Sequence, residues 1–219
     1  YLNMTNEEIQ KGINLLCDTS AEVKGFYQND QNIVDALNNV NKDELQKLDE
    51  YYRKRSGVVV DIRKEIINNL LSNISLTVSN LHQIIDTHKA GKEGGFRSYK
   101  ETFSIIFPVI TSYGHNLERE FVKSFTKKLI DDLRINNEVK LVSFDFQGPR
   151  QQGSDRYWVA IYNKHQENQS IGIQFFFEFY EGKISYGVYT HENQSFLKPR
   201  VAVTPEEFKY DEMLSYFEE

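Results

Sequence analysis

Two runs near the C-terminus constrain the fold more than anything else in the chain. IGIQFFFEFY (171–180) and KISYGVYT (183–190) are separated only by Glu181-Gly182. In the first run every odd position is apolar: Ile171, Ile173, Phe175, Phe177 and Phe179. The even positions, Gly172, Gln174, Phe176, Glu178 and Tyr180, are mixed. A period of two belongs to a strand with one face in the core, and a two-residue Glu-Gly link is the size of a tight hairpin turn. One face of this hairpin is therefore core, and the other is partly polar yet still aromatic. Residues 139–147 and 157–163 are likewise rich in Val, Ile, Phe and Tyr and read as two further strands.

The residues before 139 carry the helical period instead. Thr5 followed by Glu8 has capping-box spacing and opens a helix through about Thr19, with Ile9, Ile13 and Leu16 on one face. Asn41 with Glu44 repeats the device ahead of Leu45, Leu48, Tyr51 and Tyr52. From Val58 to Lys89, apolar residues at Val59, Ile62, Ile66, Leu70, Ile74, Val78, Leu81 and Ile85 describe one face of a long amphipathic helix. KAGKEGGFRSYK (89–100) reads as a linker, since it lacks the Gly-Lys-Ser/Thr ending of a phosphate loop. A short helix over 103–110, bent or ended near Pro108, and an amphipathic helix over 117–133 follow. In the latter Phe121, Phe125 and Leu129 face inward and Lys123, Lys127 and Lys128 outward. Thr204-Pro205-Glu206-Glu207 has the cap residue and first-turn proline of a last helix. The expected fold class is α+β: a helical part over 1–138, with a linker near 89–100, then a β-rich part over 139–219 whose mostly antiparallel twisted sheet has flanking helices. The two parts can form one compact domain.

Charge and hydropathy exclude several classes. The net charge of −6 over 219 residues argues against a generally basic nucleic-acid binder. The charge is uneven, however. Residues 143–202 are balanced at 6 basic against 6 acidic, and 203–219 alone contribute −5, so a local phosphate contact is not excluded. The longest apolar runs, such as FSIIFPVI (103–110), are too short to span a bilayer, so no membrane partner is expected. Tyr1 is not a natural start and no basic-then-apolar leader is present, which reads as a piece of a cytoplasmic protein. The single cysteine, Cys17, rules out an internal disulfide and reads as a small buried hydrophobe.

The tools of an enzyme are missing from the sequence. His82, His88, His115, His165 and His191 have no metal-ligand spacing, and no Gly-x-Ser-x-Gly elbow occurs. Asp145, Glu178 and Lys183 match a nuclease core poorly, because the hairpin turn separates the last two. Neither catalysis nor a cofactor is expected. What remains is a half-polar aromatic strand face next to SFDFQGPRQQGSDRYW (143–158), a loop with Arg150 and Arg156 that ends on Tyr157 and the only tryptophan, Trp158. Aromatic rings stack on unpaired bases and arginine holds phosphate or a base edge. A nucleic-acid reader, a protein-interaction module and a plain structural domain all stay open on these residues alone.

The run from Val142 to Asn193 resembles the N-terminal domain of McrB-type subunits of modification-dependent (type IV) restriction systems. The elements that carry the likeness are Phe144 to Gly148, the polar loop Pro149 to Arg156, Trp158 to Tyr162, the polar loop Asn163 to Ser170, the Gly-led strand Gly172 to Tyr180, and Tyr186-Gly187-Val188. The resemblance implies a specificity module of a phage-defence system. Such a module binds double-stranded DNA and reads methylated cytosine by flipping the base into an aromatic pocket. It also implies an AAA+ GTPase motor in the same full-length chain and a separate nuclease subunit as partners, with no catalysis in the targeting domain itself. By position, Tyr157, Trp158, Gln174, Glu178 and Tyr186 would form the base pocket. Phe146, Gln147 and Gly148 would enter the duplex, with Arg150, Arg156 and Lys164 on its phosphates. The alternative expectation is an adaptor domain of a defence complex that uses the same face without touching DNA.

Overall fold

The computed structural model describes residues 3–89, 99–110, 115–149, 152–192 and 194–219. Among them the protein is α+β, with eight helices and one six-stranded antiparallel sheet. The helices are α1 (Asn6–Tyr27), α2 (Asp30–Asn38), α3 (Lys42–Tyr52), α4 (Val58–Leu71), α5 (Val78–His88), α6 (Tyr99–Ile110), α7 (Asn116–Asp132) and α8 (Tyr210–Glu218). The strands are β1 (Val139–Phe144), β2 (Arg156–Asn163), β3 (Ile173–Tyr180), β4 (Lys183–Thr190), β5 (Ser195–Phe196) and β6 (Val201–Val203). No described helix is long and apolar enough to cross a membrane. The residues group into two compact units: one from Tyr1–Glu22, Gly114–Gly148 and Asp155–Glu219, the other from Val23–Tyr113 and Pro149–Ser154. Helix α7 and most of α1 thus group with the sheet, and the loop 149–154 groups with the helices.

In the sheet unit β1 to β4 form a meander, and β5 and β6 share the far edge of β4. The hairpin expected at Glu181-Gly182 is present, with φ of 53° and 78° at the two residues. Two successive left-handed residues give the primed turn whose twist matches the strands. Residues Tyr157, Val159 and Ile161 of β2 share a face with Phe177 and Phe179 of β3 and with Ile184 and Tyr186 of β4. This face is buried under helices: Phe125 of α7 meets Phe177 edge-on at 5.3 Å, and Phe217 of α8 stacks on Phe175 at 5.0 Å. The α1 capping box forms in both directions, with Thr5 N–H donating to Glu8 at 2.7 Å and Glu8 N–H to Thr5 at 3.2 Å. Gly12 of α1 lets Phe121 of α7 lie against its backbone, where a Cβ would fall 1.9 Å from the ring. Cys17 is buried, and burial pushes its thiol up to about 12.

Two sequence expectations fail locally. Helix α8 begins at Tyr210 rather than at Thr204. The Thr204 N–H does donate to Glu207 at 3.0 Å, but the segment 204–207 closes only as a turn before Phe208 plugs into the core. In the helical unit, the continuous stripe over 58–89 is two helices. Asn73 takes a left-handed conformation (φ 60°), and the Ile74 N–H reaches back to Asn69 O at 2.8 Å, which closes α4 as a Schellman end. Thr77 then caps α5 through the Asn80 N–H. Between them Leu76 is buried, and its backbone is held at both ends by the Asn38 side-chain amide at 2.8 and 3.0 Å.

Pro108 lies inside α6 without ending it. Proline has no N–H for the carbonyl four residues back and crowds that carbonyl, so position 108 supplies no amide donor to Ser104 O, and Ile105 O lies in the same turn. Arg63 of α4, only 7% exposed, takes both: Nη2 donates to Ser104 O at 2.6 Å and Nε to Ile105 O at 2.5 Å. Within the same unit Gly153 has φ of 84° and sits against α6, where a Cβ would fall 2.5 Å from the Phe103 ring.

Candidate functional site

Strand alternation presents the other face of the sheet. The register places Phe144, Trp158 and Glu178 side by side across β1, β2 and β3, and Gln174 opposite Tyr189 of β4. These side chains line a cleft of about 360 Å³ in the sheet unit, within the usual size of small-molecule pockets, roughly 300–1,000 Å³. Its walls are aromatic. The Trp158 indole stacks on Phe144 at 5.7 Å and 14°, and Phe176 and Tyr189 each lie against Phe196 of β5. Gly187, opposite Phe176 in the ladder, leaves room for that ring, since a Cβ would fall 2.8 Å from it. Residues Gln169 and Ser170 of the β2–β3 loop, with His191 after β4, complete the rim.

The polar groups of the cleft are arranged around one buried carboxylate. Glu178 is 3% exposed, and its two oxygens are taken by two guanidiniums. Arg156 Nη1 donates to Oε2 at 3.2 Å, and Arg200 Nη2 bonds to Oε1. Arg156 also lies 3.8 Å from buried Asp155 and above the Tyr180 ring at 4.3 Å, and Arg200 lies 5.8 Å from the Phe176 ring centre. Gln174, 5% exposed, is the exception. Its Oε1 has no hydrogen-bond partner, which makes it the one orphaned buried carbonyl oxygen among the described side chains.

The candidate residues from the sequence are split between the two faces. Trp158, Gln174 and Glu178 come together in the cleft with Arg156. Tyr157 and Tyr186 do not, because each is one residue out of phase and points into the core. Burial pushes the Tyr157 hydroxyl up to about 12, with the charge of Asp145 adding to the shift. Tyr186 packs edge-on against Tyr216 of α8 at 5.2 Å. Phe146, expected at a duplex, is 1% exposed and wedged edge-on between His115 and Tyr157. Gln147 and Gly148 form the turn after β1, with the Gly148 N–H on Asp145 O at 2.8 Å and the Gln147 N–H on Asp145 Oδ1 at 2.9 Å. They line a separate cavity of about 410 Å³ between α7 and β1, where Arg119 holds Asp145 at 2.6 Å. Lys164 is exposed at the opposite end of β2 from Arg156, bonded to Asn137 O. Arg150 lies outside the described residues.

Reading residues singly missed part of the cleft. Phe176 and Tyr189 follow from alternation once Trp158 is placed. Arg200 and Phe196 come from the irregular segment after β4 and carry no period that would point to the cleft. The nuclease-like trio is dispersed: Asp145 pairs with Arg119 on the helix side, whereas Glu178 lies among arginines on the other. Among the described residues no group of three or more His, Cys, Asp or Glu side chains could hold a metal ion. Comparison with family models, with curated proteins and with solved structures finds no match.

Proposed function

We propose that this cleft receives a base swung out of a DNA duplex, and that the chain is the modification-reading specificity module of a restriction system. The observation that supports this most is the cleft itself: a nucleobase-sized space walled by Trp158, Phe144, Phe176 and Tyr189, with a buried hydrogen-bonding amide at Gln174. Unstacking a base costs a few kcal/mol, and stacking on aromatic rings returns about 1–3 kcal/mol per base. Aromatic walls also suit the methyl group of 5-methylcytosine, which adds apolar surface without adding a polar group. In this reading Arg156 does not hold phosphate, because its charge is engaged by Glu178 and Asp155. Lys164 and Arg150 remain the candidates for backbone contacts. An AAA+ GTPase motor in the same full-length chain and a separate nuclease subunit would act on the signal that this module delivers.

The test is a mobility-shift assay on methylated, hydroxymethylated and plain duplexes at two salt concentrations, with wild type and Trp158→Ala. Wild type is expected to prefer a methylated duplex, and Trp158→Ala to lose that preference while keeping the wild-type circular dichroism. Equal preference by mutant and wild type overturns the reading. No shift on any duplex would favour an adaptor domain that uses the same face.

A further inference from the structure

The two edges of the sheet are built differently. The far edge is broken up: β5 has two residues and β6 three, and Pro199 lies between them. Short strands and proline are common means of keeping an edge from pairing with another chain. The near edge, β1, uses neither. It is six residues long, contains no proline, and pairs with β2 in an unbroken register without a bulge. Its one charged residue, Lys140, shares the cleft face with Phe144 and leans on the Tyr162 ring at 5.4 Å.

The register shows which backbone groups this edge leaves open. The Lys164 N–H donates to Glu138 O at 2.9 Å, directly across the strand pair. In an antiparallel ladder, bonded pairs alternate with unbonded ones. Glu138, Lys140, Val142 and Phe144 therefore turn their carbonyls to β2, and Val139, Leu141 and Ser143 turn their backbone outward. Among the described residues, none of those outward N–H and C=O groups meets a partner. The three side chains lie on the helix side of the sheet, opposite Asn163, Ile161 and Val159. Leu141, the middle one, is 49% exposed there.

We infer that β1 pairs with the β1 of a second copy of this chain, antiparallel about a two-fold axis at Leu141. That register sets Leu141 opposite itself and Val139 opposite Ser143 of the partner subunit. Every outward N–H and C=O of the three residues is then bonded in both copies. The edge is compatible with itself in charge as well. Lys140 falls opposite Val142 of the partner subunit and Glu138 opposite Phe144 of the partner subunit, so no like charges are opposed. A copy of this strand suits the edge because the outward set is symmetric about its one exposed apolar residue, and the two Leu141 side chains meet across the axis. Opposed residues of paired strands point to the same face, so the two six-stranded sheets would merge into one with both clefts on the same side. The inference does not depend on what the cleft binds.

Sedimentation velocity of the chain over about 5–500 μM tests this, because an interface of one strand edge is small and gives a dimer of micromolar affinity or weaker. The mean mass should rise with concentration towards twice that of the monomer. Ser143→Pro removes one outward N–H while leaving the bonds to β2, and proline suits an open edge; this variant should stay monomeric. Ser143→Ala keeps the N–H and should dimerise as wild type does. Leu141→Lys opposes two like charges at the axis and should also stay monomeric, which keeps the test decisive if Ser143→Pro loses the wild-type circular dichroism. Under mild oxidation Leu141→Cys should form a disulfide-linked dimer, since directly opposed Cα atoms lie about 5.5 Å apart. Ser143→Cys should not, because Ser143 faces Val139 of the partner subunit rather than its own counterpart. Cys17 is buried and does not compete.

A wild type that stays monomeric at every concentration would overturn the inference and leave the edge for a strand of another protein. So would a dimer that persists in Leu141→Lys or in folded Ser143→Pro, since the contact would then lie elsewhere. Cross-linking of Ser143→Cys as readily as of Leu141→Cys would rule out the two-fold register.

Discussion

Replacing Arg63 by methionine tests whether a proline inside a helix is tolerated because another helix supplies the missing donor. The side chain is 7% exposed and gives two bonds to the Ile105 and Ser104 carbonyls in the turn before Pro108, at 2.5 and 2.6 Å, with a third contact from Nη1 to the Tyr52 hydroxyl at 3.3 Å. Hydrogen bonds involving a charged group contribute about 1.5–3 kcal/mol each. Two such bonds set a gross loss of roughly 3–6 kcal/mol. Methionine no longer requires a guanidinium to be desolvated, and that offsets part of the loss, leaving about 3 kcal/mol. With a urea dependence of about 2 kcal/mol per molar, the midpoint should fall by roughly 1.5 M. The assay is urea unfolding followed by far-UV circular dichroism, which reports the helices.

The decisive arm is Pro108→Ala. It restores an N–H that can reach Ser104 O, so the donor from Arg63 becomes partly redundant. Arg63→Met should then cost at least about 1 kcal/mol less in the Pro108→Ala background than in wild type, a coupling that a double-mutant cycle resolves. A cycle that closes to zero would refute the link between the proline and the arginine, whatever the cost of the single mutant.

Phe146→Ala separates a core residue from an exposed wedge. With 1% exposure and two edge-on aromatic neighbours, it should destabilise the chain by about 3–5 kcal/mol; an unchanged unfolding midpoint would return Phe146 to the list of surface candidates. Asp132 carries the pH prediction. Burial raises its carboxyl, but the bonds from Lys128 and Tyr210 outweigh this and hold it below the usual carboxylate range. A depressed folded-state value stabilises the fold above the ordinary carboxylate pKa of about 4 and loses that contribution as pH falls through the folded value. Tyr210→Phe should therefore lower stability at pH 7 and lose that deficit in more acidic solution, measured by unfolding at pH 7 and pH 3; a deficit equal at both would show that the bond does not act through the carboxylate.

Much of the fold could be read from the sequence because its strongest signals are local. The alternation of the 171–190 hairpin, the Thr5–Glu8 box and the Glu181-Gly182 turn each depend on neighbours within a few positions; the box and turn form as expected, and the alternation puts Phe177 and Phe179 in the core, whereas Ile171 and Ile173 at its start are exposed. The long stripe over 58–89 misled for the same reason. Apolar spacing carries across a break as readily as along a helix, and only Asn73 and Thr77 mark where the chain turns. Thr204-Pro205 shows the converse. Its cap chemistry is real and makes the bond to Glu207, but Phe208 is drawn into the core and the helix starts later.

The site was legible only in part, and the reason lies in what a strand period can and cannot say. Alternation around Trp158 was enough to exclude Tyr157, and the pairing of Tyr186 with Phe177 places it on the core side. Those two errors came from treating neighbours in sequence as neighbours on a surface. Arg200 is different. It reaches Glu178 across the sheet from an irregular segment, and its presence changes what Glu178 can do. With one arginine, Glu178 would keep an oxygen to accept from a ligand. With two, it becomes a fixed counter-charge. A single residue beyond the reach of any local pattern thus turns Glu178 from the one-arginine partner that alternation suggests into the centre of a two-arginine ion-pair network.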